Sequence, residues 1–180
     1  MRVVAGQWRG RSLLAPPGTT TRPTADRARQ ALFDMLVHAP WADGLADVPV
    51  LDAFAGTGAL GLEALSRGAA SACFIEQNTA ALRSLRANIA ACRAEPLCRV
   101  IQADATNPPS GIPCRLIFLD PPYGQDLVPR ALTSLSAQGW VAQGALIVAE
   151  LGRTEMKPFA AEPLDVRVHG AAQLVIWRAA

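Results

Sequence analysis

Val48-Pro49-Val50-Leu51-Asp52-Ala53-Phe54-Ala55-Gly56-Thr57-Gly58-Ala59-Leu60-Gly61 passes from an apolar run through a glycine loop into a helical pattern. The apolar end predicts a strand over 48–53, and the far end predicts a helix over 58–67. Gly56, Gly58 and Gly61 keep the G-x-G-x-x-G spacing, and Glu76 ends the next predicted strand about 20 residues on. Such a transition opens an open α/β sheet whose ligand sits at the carboxyl ends of the strands. By spacing alone the loop would suit a nicotinamide dinucleotide. Asp52 argues otherwise, because a carboxylate at the strand end repels an anionic pyrophosphate. A cofactor carrying an ammonium and a sulfonium is attracted instead, and S-adenosylmethionine (SAM) is such a cofactor.

Downstream, strand and helix patterns alternate. Strands are predicted at 48–53, 72–76, 98–103, 115–119 and 145–151, with two more near 164–169 and 173–178. Helices are predicted at 58–67, 78–92 and 126–137. This alternation implies βαβ units and a mostly parallel seven-stranded sheet of the Rossmann-like α/β class. Only His169-Gly170-Ala171-Ala172 separates the last two strands, too few residues for a crossover helix. The chain should therefore close with a C-terminal antiparallel strand.

Four predicted strands finish with an acid at the same sheet edge: Asp52, Glu76, Asp104 and Asp120. Each alone could be a turn or cap residue. Together they suit a cationic cofactor, with Glu76 able to accept from both ribose hydroxyls and Asp104 from an adenine amine. Phe54, Ala55, Gly56, Thr57 and Gly58, with Gln77 and Ala105 beside the second and third acids, complete the candidate cofactor set.

Asp120-Pro121-Pro122-Tyr123 follows the buried-strand run Leu116-Ile117-Phe118-Leu119. It offers a carboxylate, a carbonyl stiffened between two proline rings, and an aromatic face. That set suits a planar nucleophile carrying an amino group, so these four residues are the candidate catalytic residues. Asn107-Pro108-Pro109-Ser110 has a similar shape but lacks the aromatic and the preceding strand, and it reads as a plain loop.

The chain has 180 residues, 51% hydrophobic and 18% charged, which favours one folded domain over disorder. No apolar run reaches the length of a membrane span. Cys73, Cys92, Cys98 and Cys114 form no CxxC pair and no metal-like spacing with the two histidines. They are expected to be reduced thiols of a cytoplasmic protein that holds no metal.

The net charge is only +2, but residues 1–40 carry Arg2, Arg9, Arg11, Arg22, Arg27 and Arg29 against Asp26 and Asp34. Arginine makes bidentate phosphate contacts and stacks on bases. Residues 2–14 read as a short hairpin turning through Gly6 to Gly10. Thr24 reads as the N-cap of an amphipathic helix over 25–37, with Asp26 in its first turn. Residues 1–40 are thus an RNA-facing extension to a catalytic domain at 41–180. Arg9, Arg11, Arg22, Thr24, Arg27 and Arg29 are the candidate RNA contacts.

The whole chain resembles the class I SAM-dependent methyltransferases. In particular it resembles the bacterial 16S ribosomal RNA guanine-N2 methyltransferases, the RsmD group. The residues that carry the resemblance are Arg2 to Arg11, Arg22-Pro23-Thr24-Ala25-Asp26-Arg27, Asp52 to Gly58, Ser66-Arg67-Gly68-Ala69 and Phe118 to Tyr123. The glycine loop and the proline motif are shared by many amino-methyltransferases, whereas the arginine-rich start is group-specific. The resemblance implies SAM as cofactor and methylation of guanine 966 of 16S rRNA by a monomer acting on an assembling small subunit. Some relatives carry Phe where this chain has Tyr123, and stacking needs only a ring.

The residues leave other readings open. The proline motif would also serve adenine N6 in DNA or RNA, although the chain has no room for a large DNA-recognition domain. Methylation of a glutamine amide would resemble Asn rather than Asp at the first motif position. A nicotinamide-dependent oxidoreductase is opposed by Asp52. A non-catalytic RNA-binding module would be marked by a broken acid set or a broken proline motif, and both are intact.

Overall fold

Strand β1 (Pro49–Ala53) lies between two parallel neighbours, β2 (Ser71–Glu76) and β4 (Cys114–Leu119). The computed structural model describes residues 1–16, 23–122, 125–153, 162–170 and 172–180. In it β3 (Cys98–Gln102), β5 (Val141–Gly152), β6 (Asp165–His169) and β7 (Ala172–Arg178) complete one sheet of order β3-β2-β1-β4-β5-β7-β6. All pairs from β3 to β5 are parallel, and β7 runs antiparallel to both β5 and β6. The expected single reversed strand is therefore present, forced by the short link between β6 and β7. Strand order reverses between β1 and β4, and the crevice at such a switch point is where an open α/β sheet takes its ligand.

The pleat sorts the core. Val50, Phe74, Leu116, Phe118 and Val148 face helices α1 (Pro23–His38), α2 (Ala59–Ser66) and α3 (Thr79–Cys92), through residues such as Phe33, Leu62 and Leu85. Leu51, Ile75, Ile117, Leu119 and Ile147 face α4 (Leu127–Ala137), with Leu132, Leu135 and Trp140. Alternation along each strand places Asp52, Glu76 and Glu150 on the same face as Val50, Phe74 and Val148. Apolar burial thus drives three layers together and leaves the strand-end acids of one face gathered at the switch point.

Three local expectations need correction. The N-terminal arms share one bridge, Arg2 to Ser12, rather than two paired strands. The N–H groups of Val4 and Ala5 donate to Glu63 of α2 instead, at 2.7 and 3.0 Å. Helix α1 begins at Pro23, so Thr24 lies inside it and is not its cap; proline suits a first helical position, where its missing N–H costs nothing. Strand β5 starts at Val141 rather than 145, because its register against β4 shifts between Cys114 and Leu116 and Gly144 sits at φ +70°. The segment Asn107-Pro108-Pro109-Ser110 is loop, as expected, and the Trp140 indole N–H donates to the Pro109 carbonyl at 2.8 Å.

Candidate active site

The glycine loop closes tightly on the sheet. Phe54, Gly56 and Gly58 all have positive φ, and the Gly56 N–H donates to Glu76 Oε2 at 2.8 Å. A Cβ at Gly58 would lie 2.3 Å from the Leu85 side chain, and one at Gly61 2.4 Å from the Phe74 ring. Only glycine lets the start of α2 approach β1 and β2 this closely. The Gly61 N–H then donates to Asp52 Oδ2 at 2.9 Å, tying the strand-end carboxylate to the first turn of the helix.

Two cavities open at the switch point. One, of about 390 Å³, lies beneath α1 and is walled by Asp52, Phe54, Ala55, Thr57, Leu119 and Val148 among others. The other, of about 860 Å³, follows the ends of β2 and β3 past Glu76, Gln77, Ala103 and Ala105 to Pro121 and Pro122. Phe54, Gly56, Asp120 and Glu150 line both. The two spaces are therefore adjacent lobes that meet at Asp120.

The acids feel one another. Burial pushes the Asp52 carboxyl up to about 8, against the Gly61 hydrogen bond that lowers it, and the charges of Asp120 and Glu76 push further up. Asp120 opens into the cavities but is ringed by protein, and that loss of bulk water, with the like charge of Glu150, raises it to about 7. A cluster of this sign favours a cationic ligand and disfavours a pyrophosphate.

Most predicted site residues come together here. Asp52, Phe54, Ala55, Gly56, Thr57, Glu76, Gln77, Ala105, Asp120, Pro121 and Pro122 line one cavity or both, and Gly58 caps α2 directly behind them. Both Glu76 oxygens also brace the backbone, one at Gly56 and one at the Asn78 N–H, 2.7 Å away. Asp104 stands between two cavity residues, and its Oδ1 accepts from the Thr106 N–H at 2.8 Å. Tyr123 and Arg22 lie outside the described residues, as does the side chain of Thr24.

The arginines separate. Arg9, Arg11 and Arg27 are exposed. Arg29 is not a surface residue: it is 6% exposed, donates to Asp26 Oδ1 at 2.7 Å and to the Arg2 carbonyl, and lies 3.7 Å from Glu63. Its helical position turns it inward over the smaller cavity, so it cannot serve as a phosphate contact.

Sequence reasoning missed three residues that organise the site. Glu150 ends the same series of strand-end acids on the fifth parallel strand, and the rule that found the other four would have found it. Asn88 is buried on α3; its amide donates to the carbonyls of Thr57 and Leu14, both at 3.0 Å, and accepts from the Leu14 N–H at 2.7 Å. Glu63 and Asn88 carried no signal, because each sits mid-helix and its backbone partners lie 31 to 74 residues away.

Comparison with known proteins bears on the same features. A family model described as Conserved hypothetical protein 95 matches residues 1–178. The Ribosomal RNA small subunit methyltransferase D of Escherichia coli K12 is 41% identical over 152 residues, 83% of this chain and 74% of that protein. The protein of the same name from Haemophilus influenzae is 35% identical over 155 residues, 83% of this chain and 78% of its own. The solved structure of Escherichia coli yhhF superposes with a TM-score of 0.85 at 38% identity, over 99% of this chain and 97% of that one. An RNA methyltransferase from Salinibacter ruber, solved with S-adenosyl-L-homocysteine, shares the fold at TM-score 0.62 and 17% identity, over 89% of this chain and 92% of that one.

Proposed function

The chain belongs to the conserved hypothetical protein 95 family, the RsmD-type rRNA methyltransferases, and we propose that it methylates the exocyclic N2 amine of a guanine in 16S rRNA. The observation that carries this reading is the position of Asp120, on the wall common to both cavities and followed by Pro121 and Pro122. The larger lobe can take the adenosine end of a cofactor and the smaller lobe its amino-acid end beside an incoming base, with the same carboxylate at the boundary. The base is taken to be guanine 966, within an assembling small subunit, and the enzyme to act as a monomer.

The residues present fit SAM. Glu76, Gln77, Ala105 and Asp104 would hold the adenosine end, and Asp52 with the loop Phe54 to Gly58 the amino-acid end. Gly58 and Gly61 let the start of α2 pack closely on Leu85 and Phe74, which fixes the loop backbone at the cavity wall, and the surrounding acids match a ligand of positive charge. When bound, SAM supplies a methyl group on a sulfonium that leaves as a neutral thioether.

The remaining work falls to the protein. The guanine N2 lone pair is delocalised into its ring and is a weak nucleophile. Asp120 and the Pro121 carbonyl would accept the two N2 hydrogens and turn the lone pair out of the ring plane. As the N2–CH₃ bond forms, one N2 proton passes to Asp120 or water. Catalysis of this kind rests on positioning and preorganised charge. Tyr123 would stack on the base once it leaves its own stack, which costs a few kcal/mol and least for an unpaired base. Arg9, Arg11 and Arg27, with Arg22 and Thr24, would meet the RNA backbone.

The test is methyl transfer from labelled SAM to unmodified small subunits and to their naked rRNA, followed by nucleoside mass spectrometry. N2-methylguanosine is the expected product. Label on adenine N6 would replace the guanine assignment with its rival, and no label in rRNA would overturn the substrate.

A further inference from the structure

Resting on the guanine-N2 reading, we infer that Glu150 is a specificity residue: its carboxylate accepts the N1–H of the target base and thereby selects guanine over adenine. The placement comes from the sheet. Leu119 of β4 pairs with Ala149 of β5, so the next residues stand side by side, Asp120 just past the end of β4 and Glu150 near the end of β5. Neighbouring strands are about 4.8 Å apart, near enough for side chains from adjacent strands to converge on the more closely spaced donors of one base edge. Glu150 lies on the wall that both cavities share, and Asp120 responds to its charge. Leu119, Val148 and Leu174 give the smaller lobe an apolar lining suited to a flat ring.

The chemistry of the two purines decides what this pair of carboxylates can read. Along its Watson–Crick edge guanine presents the N2 amine next to N1–H, three donor hydrogens in a row. Adenine presents its N6 amine next to N1, an acceptor. Asp120 and the Pro121 carbonyl satisfy an amine in either base. A second carboxylate at Glu150 completes the acceptor set for guanine and opposes the lone pair of adenine N1. A site built to accept a hydrogen bond rejects the analogue that cannot donate it far more strongly than an apolar pocket rejects a change of size. The bond from N1–H to a carboxylate also pushes electron density toward N2, the atom that must attack.

2-Aminopurine isolates this contact, because it keeps the N2 amine and replaces N1–H with an acceptor nitrogen. The experiment compares kcat/KM for reconstituted small subunits carrying guanine or 2-aminopurine at the target position. The wild-type enzyme should prefer guanine by about tenfold or more, the scale of one hydrogen bond to a charged group. E150Q should bring the two substrates within about threefold, since an amide can accept from guanine N1–H or donate to N1 of 2-aminopurine. E150D, which keeps the charge, should retain the preference with a lower rate, and thermal melting checks that each variant is folded. Equal use of both bases by the wild type, or an E150Q ratio unchanged from wild type, would overturn the assignment. Methylation of adenine instead of guanine in unsubstituted subunits would overturn the guanine-N2 reading itself, and this assignment with it.

Discussion

Asn88 and Thr57 are joined by a partly buried hydrogen bond of 3.0 Å from the Asn88 amide to the Thr57 carbonyl, so a side chain of α3 holds the glycine loop from behind. The same side chain binds both backbone groups of Leu14, which links the N-terminal segment to the cofactor loop through one residue. Asn88→Ala should cost about 1–3 kcal/mol in urea unfolding, the scale of buried partners left unsatisfied. It should also weaken SAM binding in calorimetry, whereas an exposed neighbour such as Ala87→Ser should do neither.

Glu63 is fully buried and accepts from the Val4 and Ala5 N–H groups and from Arg67 Nε at 2.8 Å, with Arg29 alongside. Removing the carboxylate strands a buried guanidinium and two N–H groups. Glu63→Ala should therefore lose about 3–5 kcal/mol of stability. Hydrogen exchange at Val4 and Ala5 should speed up more than exchange in β1; equal protection at those two amides would contradict the role.

The sheet was legible because apolar runs of strand length alternate with helical spacing, and the acids at 52, 76, 104 and 120 mark one edge of it. The N-terminal segment was legible only in outline. Clustering of arginine was visible, but helical phase turns Arg29 inward while leaving Arg27 exposed, and which face of α1 is covered depends on Glu63 and Phe118, which are distant in sequence. The apolar run of β5 begins at Ala145, and the irregularity that carries the strand back through Gly144 to Val141 belongs to its pairing with β4 rather than to the sequence pattern of β5.

That division among the arginines can be tested by salt. If exposed arginines contact phosphate, log affinity for rRNA falls linearly with log salt, by about 0.7–0.9 per neutralised charge. The double variant Arg9→Ala, Arg27→Ala should flatten the slope by about 1–2, the contribution of two phosphate contacts. Arg29→Lys should leave the slope alone and lower the melting temperature instead. Filter binding across a salt series reads the first effect, and a slope unmoved by the double variant would remove these residues from the interface.

Asp120, raised to about 7 by burial and by Glu150, implies a pH profile. Below pH 7 the group is protonated, a weaker acceptor that cannot take the amine's proton; above it the carboxylate is available. With SAM below its KM, kcat/KM should rise about tenfold per pH unit on the acid side and level off above about 7. Glu150→Gln removes the like charge, so the rising limb should move to lower pH. Asp120→Ala should abolish turnover while still binding SAM.

Asp52 gives a prediction of opposite sign to the usual behaviour of paired carboxylates. Its folded value of about 8 exceeds the ordinary 3.8, so between these values the folded chain holds a proton that the unfolded chain has lost. Asp120 behaves likewise up to about 7. Stability should therefore fall as pH rises from about 5 to about 8, because the native state binds more protons across that window. Asp43, held low chiefly by its hydrogen bond to Arg178, favours the folded state above its ordinary range and is silent here. A cationic ligand in the cavities favours the ionised acids, so SAM should bind more tightly toward pH 8 and release protons as it binds. Urea unfolding at pH 5, 6.5 and 8 with and without SAM measures both effects, and Asp52→Asn should flatten the ligand-free slope. A wild-type chain whose stability rises across that window would mean that Asp52 is ionised in the apo protein, and the acids would then attract SAM with no protons to release.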